Sequence, residues 1–285
     1  MSFGVPIAAL HEIADRFDHV LLDQWGALHE GKALFPEARD CVLALHAAGK
    51  RVLILSNSGK RAVDNLQRLA RMGLSPDTYD GVVTSGEVTW LGLRDGSKAP
   101  FAGLGRRCLL ITRGNDRSVI DGLDLSVAAD IDQADFILLA GLDDAAANLE
   151  TWRGMLTQAS ARKLPMLCAN PDLTMFGPDG GLLPAPGALA RSYEQLGGTV
   201  AYLGKPHRPI FIAALGALGN PAQDRVLVIG DSLDHDILGG RDAGILTLLI
   251  ASGVHREALA GGTDLSTLAG SEARMPHWVI DRLVW

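Results

Sequence analysis

The stretch HVLLDQWGALHEG, residues 19–31, decides the fold. Its first residues form a short apolar run that ends on an acid, Asp23, and a glycine-bearing turn follows. Such a run does not alternate apolar with polar, so both of its faces are buried, as in a parallel sheet covered by helices. The same form recurs in RVLIL (51–55), GVVT (81–84), RCLLI (107–111), DFILLA (135–140), MLCA (166–169), RVLVIGD (225–231) and ILTLLI (245–250). Amphipathic segments such as 36–48 and 60–72 lie between them. Strand, helix and strand in turn predict an α/β chain with a Rossmann-like, doubly wound parallel sheet.

Three polar clusters stand directly after apolar runs: Asp23, then Ser56-Asn57-Ser58, then Gly230-Asp231. Ligands of open parallel sheets bind at the carboxyl ends of the strands, so the three clusters converge on one crevice if their strands are neighbours. Singly, each reads as a turn or helix-cap residue. Lys205, set between Gly204 and Pro206, reads alone as an exposed loop lysine. It is the combination that points to a site.

Two loop-like stretches suggest an inserted domain. Residues 91–105 are glycine-rich and broken by Pro100, and GPDGGLLPAPG (177–187) has the composition of a hinge. The expected division is a discontinuous core of 1–85 and 188–285 with an α/β insertion at 86–187. Within the insertion, Met175, Phe176 and Arg113 are pocket candidates, but a Met and a Phe near a strand end read first as core.

The net charge of −7, with no long run of Lys and Arg, excludes a nucleic-acid surface. No window approaches the roughly 20 apolar residues of a membrane span, and the first residues lack the pattern of a secretory signal. Cys41, Cys108 and Cys168 lie in apolar runs without metal-ligand spacing and read as small buried hydrophobes in a reducing compartment. A cytoplasmic protein is expected.

In chain order, DQWGALHEG, LSNSGKR, GKPH and GDSLDHDILGG resemble the four motifs of the haloacid dehalogenase superfamily of phosphohydrolases. The likeness covers nearly the whole chain and is to subclass IIA, the NagD- and pyridoxal-phosphatase-like branch with a large α/β cap of the C2 type. The resemblance implies that Asp23 attacks phosphorus and forms an aspartyl-phosphate. It implies that Asp23, Asp231 and the backbone carbonyl of Trp25 hold Mg²⁺, a hard cation suited to oxygen ligands. Ser56, the backbone amide of Asn57 and Lys205 would bind the transferring phosphoryl group, and Asp236 would orient Lys205 or a metal-bound water. The implied substrate is a small phosphorylated metabolite. Homodimers through the cap occur in this branch, though no apolar stripe here demands one. CANPD (168–172) also resembles a motif of the capped branch.

One position departs from the pattern. Phosphatases of the superfamily carry a second Asp two residues after the nucleophile, as general acid and base; here that residue is Trp25. Such help is typically worth about 10²–10⁴-fold in rate. The substrate then has a good leaving group or is turned over slowly, or another group supplies the proton. His29 and Glu30 are near in sequence but read as an exposed loop pair. Dehalogenation, which attacks carbon without a metal, is disfavoured by the acids Asp231 and Asp236. The alternative to an enzyme is a phosphometabolite-binding or regulatory protein with little turnover.

Overall fold

The computed structural model describes residues 3–177 and 181–285. Along the chain run β1 (Val5–Pro6), β2 (His19–Asp23), α1 (Pro36–Ala47), β3 (Arg51–Ser56), α2 (Ala62–Arg71), β4 (Gly81–Thr84) and α3 (Ser85–Asp95). Next come β5 (Arg107–Ile111), β6 (Ser126–Val127), β7 (Phe136–Leu139), α4 (Arg153–Ala161), β8 (Pro165–Cys168), β9 (Thr174–Phe176) and β10 (Leu182–Pro184). The chain ends with α5 (Pro186–Gln195), β11 (Thr199–Tyr202), α6 (Arg208–Ala217), β12 (Val226–Gly230), α7 (Leu238–Asp242), β13 (Leu246–Ile250) and β14 (Trp278–Ile280). Each of the eight apolar runs holds one of these strands. No helix among the described residues is long and apolar enough to cross a membrane.

Two compact units result. The first comprises Met1–Ser56, Val63–Val83 and Lys205–Trp285; the second comprises Asn57–Ala62 and Thr84–Gly204.

The first unit carries a seven-stranded sheet in the order β1-β14-β13-β12-β2-β3-β4. Strand β2 lies between β3 and β12 and is parallel to both. Its Val20, Leu21 and Leu22 are fully buried, as an apolar run in a covered central strand requires. From β2 the chain builds outward through β3 to β4; it later returns to β12, on the opposite side of β2, and builds outward through β13 to β14. The winding therefore reverses between β2 and β12. A crevice opens at such a switch point, beyond the carboxyl ends of the two strands. Asp23 ends β2 and Asp231 follows β12, so this topology delivers both acids to that crevice.

The second unit has its own five-stranded sheet, β11-β8-β7-β5-β6, with every pair parallel. Side chains of a strand alternate between faces. Phe136 and Leu138 accordingly pack with Cys108, Leu167 and Leu203, whereas Ile137 and Leu139 pack with Met166, Cys168 and Tyr193 on the other side. Both faces are buried, which accounts for the unbroken apolar runs. Met175 packs, partly buried, against the second cluster, and Arg113 pairs with Asp144 at 2.7 Å. The Phe176 side chain lies outside what is described.

The inserted unit does not match the expected limits of 86–187. It extends to Gly204, because β11 pairs with β8 and α5 packs its Leu189, Ala190 and Tyr193 into the same core. It also takes in Asn57–Ala62, the loop after β3. The Gly/Pro-rich run 177–187 is not where the chain crosses between units. Its residues 182–184 form β10, which pairs antiparallel with β9 in a hairpin, and 178–180 lie outside the described residues. The loop expected from residue 91 starts later, because α3 continues to Asp95 and is capped by Gly96 at φ 61°. An interior glycine weakens a helix without stopping it, and Gly92 lies inside α3.

His277 clasps the β13–β14 side of the first sheet. Its ring Nδ1 accepts the Thr247 N–H at 3.1 Å, and its own N–H donates to the Thr247 carbonyl at 3.0 Å. Burial, followed by repulsion from Arg241, lowers the His277 pKa from 6.5 to about 4. A depressed folded-state pKa means that the ring's contribution is complete above the unfolded value and is lost as pH falls through the folded one. Urea unfolding between pH 7 and pH 4 should show wild type losing more stability than His277→Asn, with the excess confined to the window from about 6.5 down to about 4. Parallel pH profiles would contradict this.

Candidate active site

Asp23 leaves the end of β2 straight into a tight turn. The Leu28 and His29 N–H groups donate to the Gln24 carbonyl at 2.8 and 3.1 Å, and the Gly26 N–H donates to the His29 carbonyl at 2.9 Å. Gly26 sits at φ +81°, a conformation that glycine adopts without steric penalty. The turn folds the chain back within a few residues, so that Asp23 stays at the strand end, 8% exposed.

Lys205 reaches the same point from the start of the segment that returns from the second unit. Its Nζ donates to Asp23 Oδ1 and to Asp236 Oδ1, each at 2.6 Å, and its side chain is only 3% exposed. Asp236 lies on the short π-helical turn Leu233–Ile237 that follows β12, where its second oxygen accepts the Ser232 N–H at 3.3 Å. Asp231 completes the group. Ligand oxygens of Asp23, Asp231 and Asp236 all lie within 4.8 Å of one another.

Three buried carboxyl groups thus face one ammonium. Burial first, and then the neighbouring carboxylates, push Asp23 well above the usual carboxylate range against the opposing pull of Lys205. Burial and Asp236 raise Asp231 to about 7. A cation bound beside these acids would favour their ionised forms.

The backbone packs closely against these acids. A Cβ on Gly26 or Gly253 would overlap the Asp231 carboxylate, and one on Gly230 would overlap that of Asp236. Glycines at these three places let the main chain close around the acids. The Val254 N–H donates to Asp231 Oδ2 at 2.9 Å and orients it. Hard oxygen donors, net negative charge and a close glycine cradle suit a small divalent cation. Asp23, Asp231 and Asp236 are the residues able to hold it.

Ser56, 9% exposed, ends β3 one residue beyond Leu55, the cross-strand partner of Asp23. Asn57 begins the second unit's first segment, and its Nδ2 donates to Asp172 Oδ1 at 2.8 Å within that unit. Trp25 is 39% exposed. His29 is no exposed loop residue: it is 1% exposed, its Nδ1 accepts the Gly31 N–H at 3.1 Å, and burial lowers its pKa to about 4. The apolar packing of the turn accounts for this, with the Trp25 ring edge-on at 5.7 Å. Glu30 is exposed, as expected.

Gly253 and Val254 escape sequence reasoning. Their only signal is a Ser-Gly pair shortly after the apolar run 245–250. Nothing local tells that this loop closes on an aspartate some twenty residues earlier.

Family models match two parts of the chain: residues 20–126 match that of the haloacid dehalogenase-like hydrolases, and 202–284 match the HAD-hydrolase-like model. Chronophin from Mus musculus is 30% identical over 97% of this chain and 94% of its own length. A hydrolase of the haloacid dehalogenase-like family from Brucella suis 1330 superposes with a TM-score of 0.83 at 33% identity, over 98% of this chain and 100% of that one. The glycerol phosphate phosphatase Rv1692 from Mycobacterium tuberculosis, solved in complex with magnesium, shares the fold at a TM-score of 0.70 and 22% identity, over 94% of this chain and 76% of its own. With this fold, these strand-end acids and these relatives, the chain belongs to the haloacid dehalogenase-like hydrolases, among the phosphoric monoester hydrolases of subclass IIA.

Proposed function

We propose that the protein is a Mg²⁺-dependent phosphatase of a small phosphorylated metabolite, working through an aspartyl-phosphate at Asp23 without an acid two residues on. The observation that carries this reading is the buried group of Asp23, Asp231, Asp236 and Lys205, three carboxyl groups to one ammonium with glycines packed against two of the acids.

In this reading Asp23, Asp231 and the Trp25 carbonyl hold Mg²⁺, which supplies positive charge against the phosphate and the attacking carboxylate. Lys205 fixes Asp23 through one hydrogen bond and is itself fixed by Asp236, so the nucleophile is held in one place before substrate arrives. Its ammonium also offsets charge that builds on the phosphoryl oxygens. The Ser56 hydroxyl and the Asn57 amide bind those oxygens, while the Asn57 side chain is tied to Asp172. We assign the second unit the cap's role of contacting the organic part of the substrate. The three buried free cysteines agree with a reducing, cytoplasmic setting.

Assayed on phosphate monoesters, wild type should turn over with Mg²⁺, stop with EDTA and recover when Mg²⁺ is restored. Asp23→Asn should lower kcat by at least about 10³-fold, as expected of a lost nucleophile. Turnover that survives both EDTA and Asp23→Asn would refute the mechanism. Gly253→Ala places a Cβ against Asp231, so calorimetry should show Mg²⁺ affinity about 10–100-fold weaker than wild type. Unchanged affinity would show that Asp231 is not a ligand.

A further inference from the structure

Asp231 and Asp236 supply two of the three clustered carboxyl groups, and the turn between them sets how far apart they stand. That turn is π-helical over Leu233–Ile237 and runs directly into α7. The Asp236 and Ile237 N–H groups both donate to the Ser232 carbonyl, at 3.0 and 3.1 Å. A single π-turn is a rare form, and its own hydrogen bonds hold it less firmly than those of an α-helix. Its shape therefore depends on what grips it from outside.

The first N–H groups of any helix find no partner within it. Here the Ser232 Oγ accepts the His235 N–H at 3.2 Å, and the Leu233 N–H donates to the His255 Nε2, also at 3.2 Å. A backbone N–H can only donate, so Nε2 is the bare nitrogen of that half-buried ring and the proton sits on Nδ1. His255 comes from the loop after β13, and the two residues before it meet the same segment. The Val254 N–H donates to Asp231 Oδ2 at 2.9 Å, and Gly253 packs so closely on Asp231 that a Cβ there would overlap it. Three consecutive residues thus hold the segment at Asp231 and again two residues further on. Arg274 grips the next position, pairing with Asp234 at 2.9 Å. Beyond it Asp236 accepts from Lys205 at 2.6 Å.

We propose that His255 is a positioning residue for the metal site, holding the turn between Asp231 and Asp236 so that both carboxyl groups stand where the cation and Lys205 need them. This rests on the phosphatase reading above, through its Mg²⁺ site, and adds a residue to that site. Were the ring only a helix cap, losing it would lower stability and leave metal binding alone. The N–H that it holds lies between the two acids, so losing it shifts one against the other.

The test measures Mg²⁺ binding to the full chain by calorimetry, without substrate, for wild type, His255→Asn, His255→Gln and His277→Asn. The Gln oxygen falls near the place of Nε2 and can accept the Leu233 N–H, whereas the Asn oxygen falls near Nδ1 and stops short of it. His255→Asn should bind Mg²⁺ about 10-fold more weakly than wild type, and His255→Gln should stay within about threefold. His277→Asn loosens β13 against β14 away from the turn and should bind as wild type does. With a phosphate monoester at saturating Mg²⁺, His255→Asn should lower kcat about 10-fold and leave KM near that of wild type. Mg²⁺ affinity unchanged in His255→Asn, lost equally in His255→Gln, or lost as much in His277→Asn overturns the inference and leaves the phosphatase reading intact. A wild type that binds no Mg²⁺ overturns both.

Discussion

The ammonium of Lys205, buried between the carboxylates of Asp23 and Asp236, is the contact on which the rest of the site depends. Taking three carboxylates out of water costs several kcal/mol each, and one partner cannot repay that. Lys205 settles one side of the cluster by holding Asp23 and Asp236. Asp231 receives the Val254 N–H, and burial and Asp236 raise its pKa to about 7. Burial raises both acids that face the crevice, Asp23 beside the Lys205 cation as well as Asp231. Removing Lys205 would take the shared partner from Asp23 and Asp236, a loss typically costing about 3–5 kcal/mol.

The sheet makes this arrangement possible. Asp23 and Asp231 are more than two hundred residues apart in sequence, yet they become neighbours because β2 and β12 flank the reversal of winding. That much was legible beforehand. Runs such as HVLLD and RVLVIGD name their strands by burial on both faces and name the site by the acid at the end. What could not be read were elements whose stability is tertiary. Strand β6 has two residues, and β9 and β10 have three each, too short for a period to register. Strand β11, the sequence TVAY, stands behind the Gly-Gly of 197–198 and is held by pairing with Pro165–Cys168. Missing β11 is what misplaced the end of the inserted unit at Gly187. Composition marked 177–187 as a hinge because Gly and Pro serve hairpins as readily as linkers.

The site divides in the same way. Asp23, Lys205, Asp231 and Asp236 announce themselves by residue type and position, and the fold gathers them within a few ångströms. Gly253, the Val254 amide and Gly31 do not, because their contribution is room or a backbone donor, and neither leaves a mark in local sequence. His29 shows the opposite error. A histidine in a polar turn reads as exposed, but the turn packs its ring against Trp25 and buries it. Trp25 stands where the family has its acid, and its ring packs against Gly31 with the Arg68 guanidinium over it.

Which carboxylate becomes phosphorylated tests the account most directly. Wild-type enzyme turning over phenyl phosphate with Mg²⁺ can be quenched in acid and treated with borohydride, which reduces an acyl phosphate to an alcohol and leaves free carboxylates alone. Peptide mass mapping then locates the reduced side chain. The account predicts homoserine at position 23 and unmodified Asp231 and Asp236. Reduction at Asp231 or Asp236, with Asp23 intact, would contradict it.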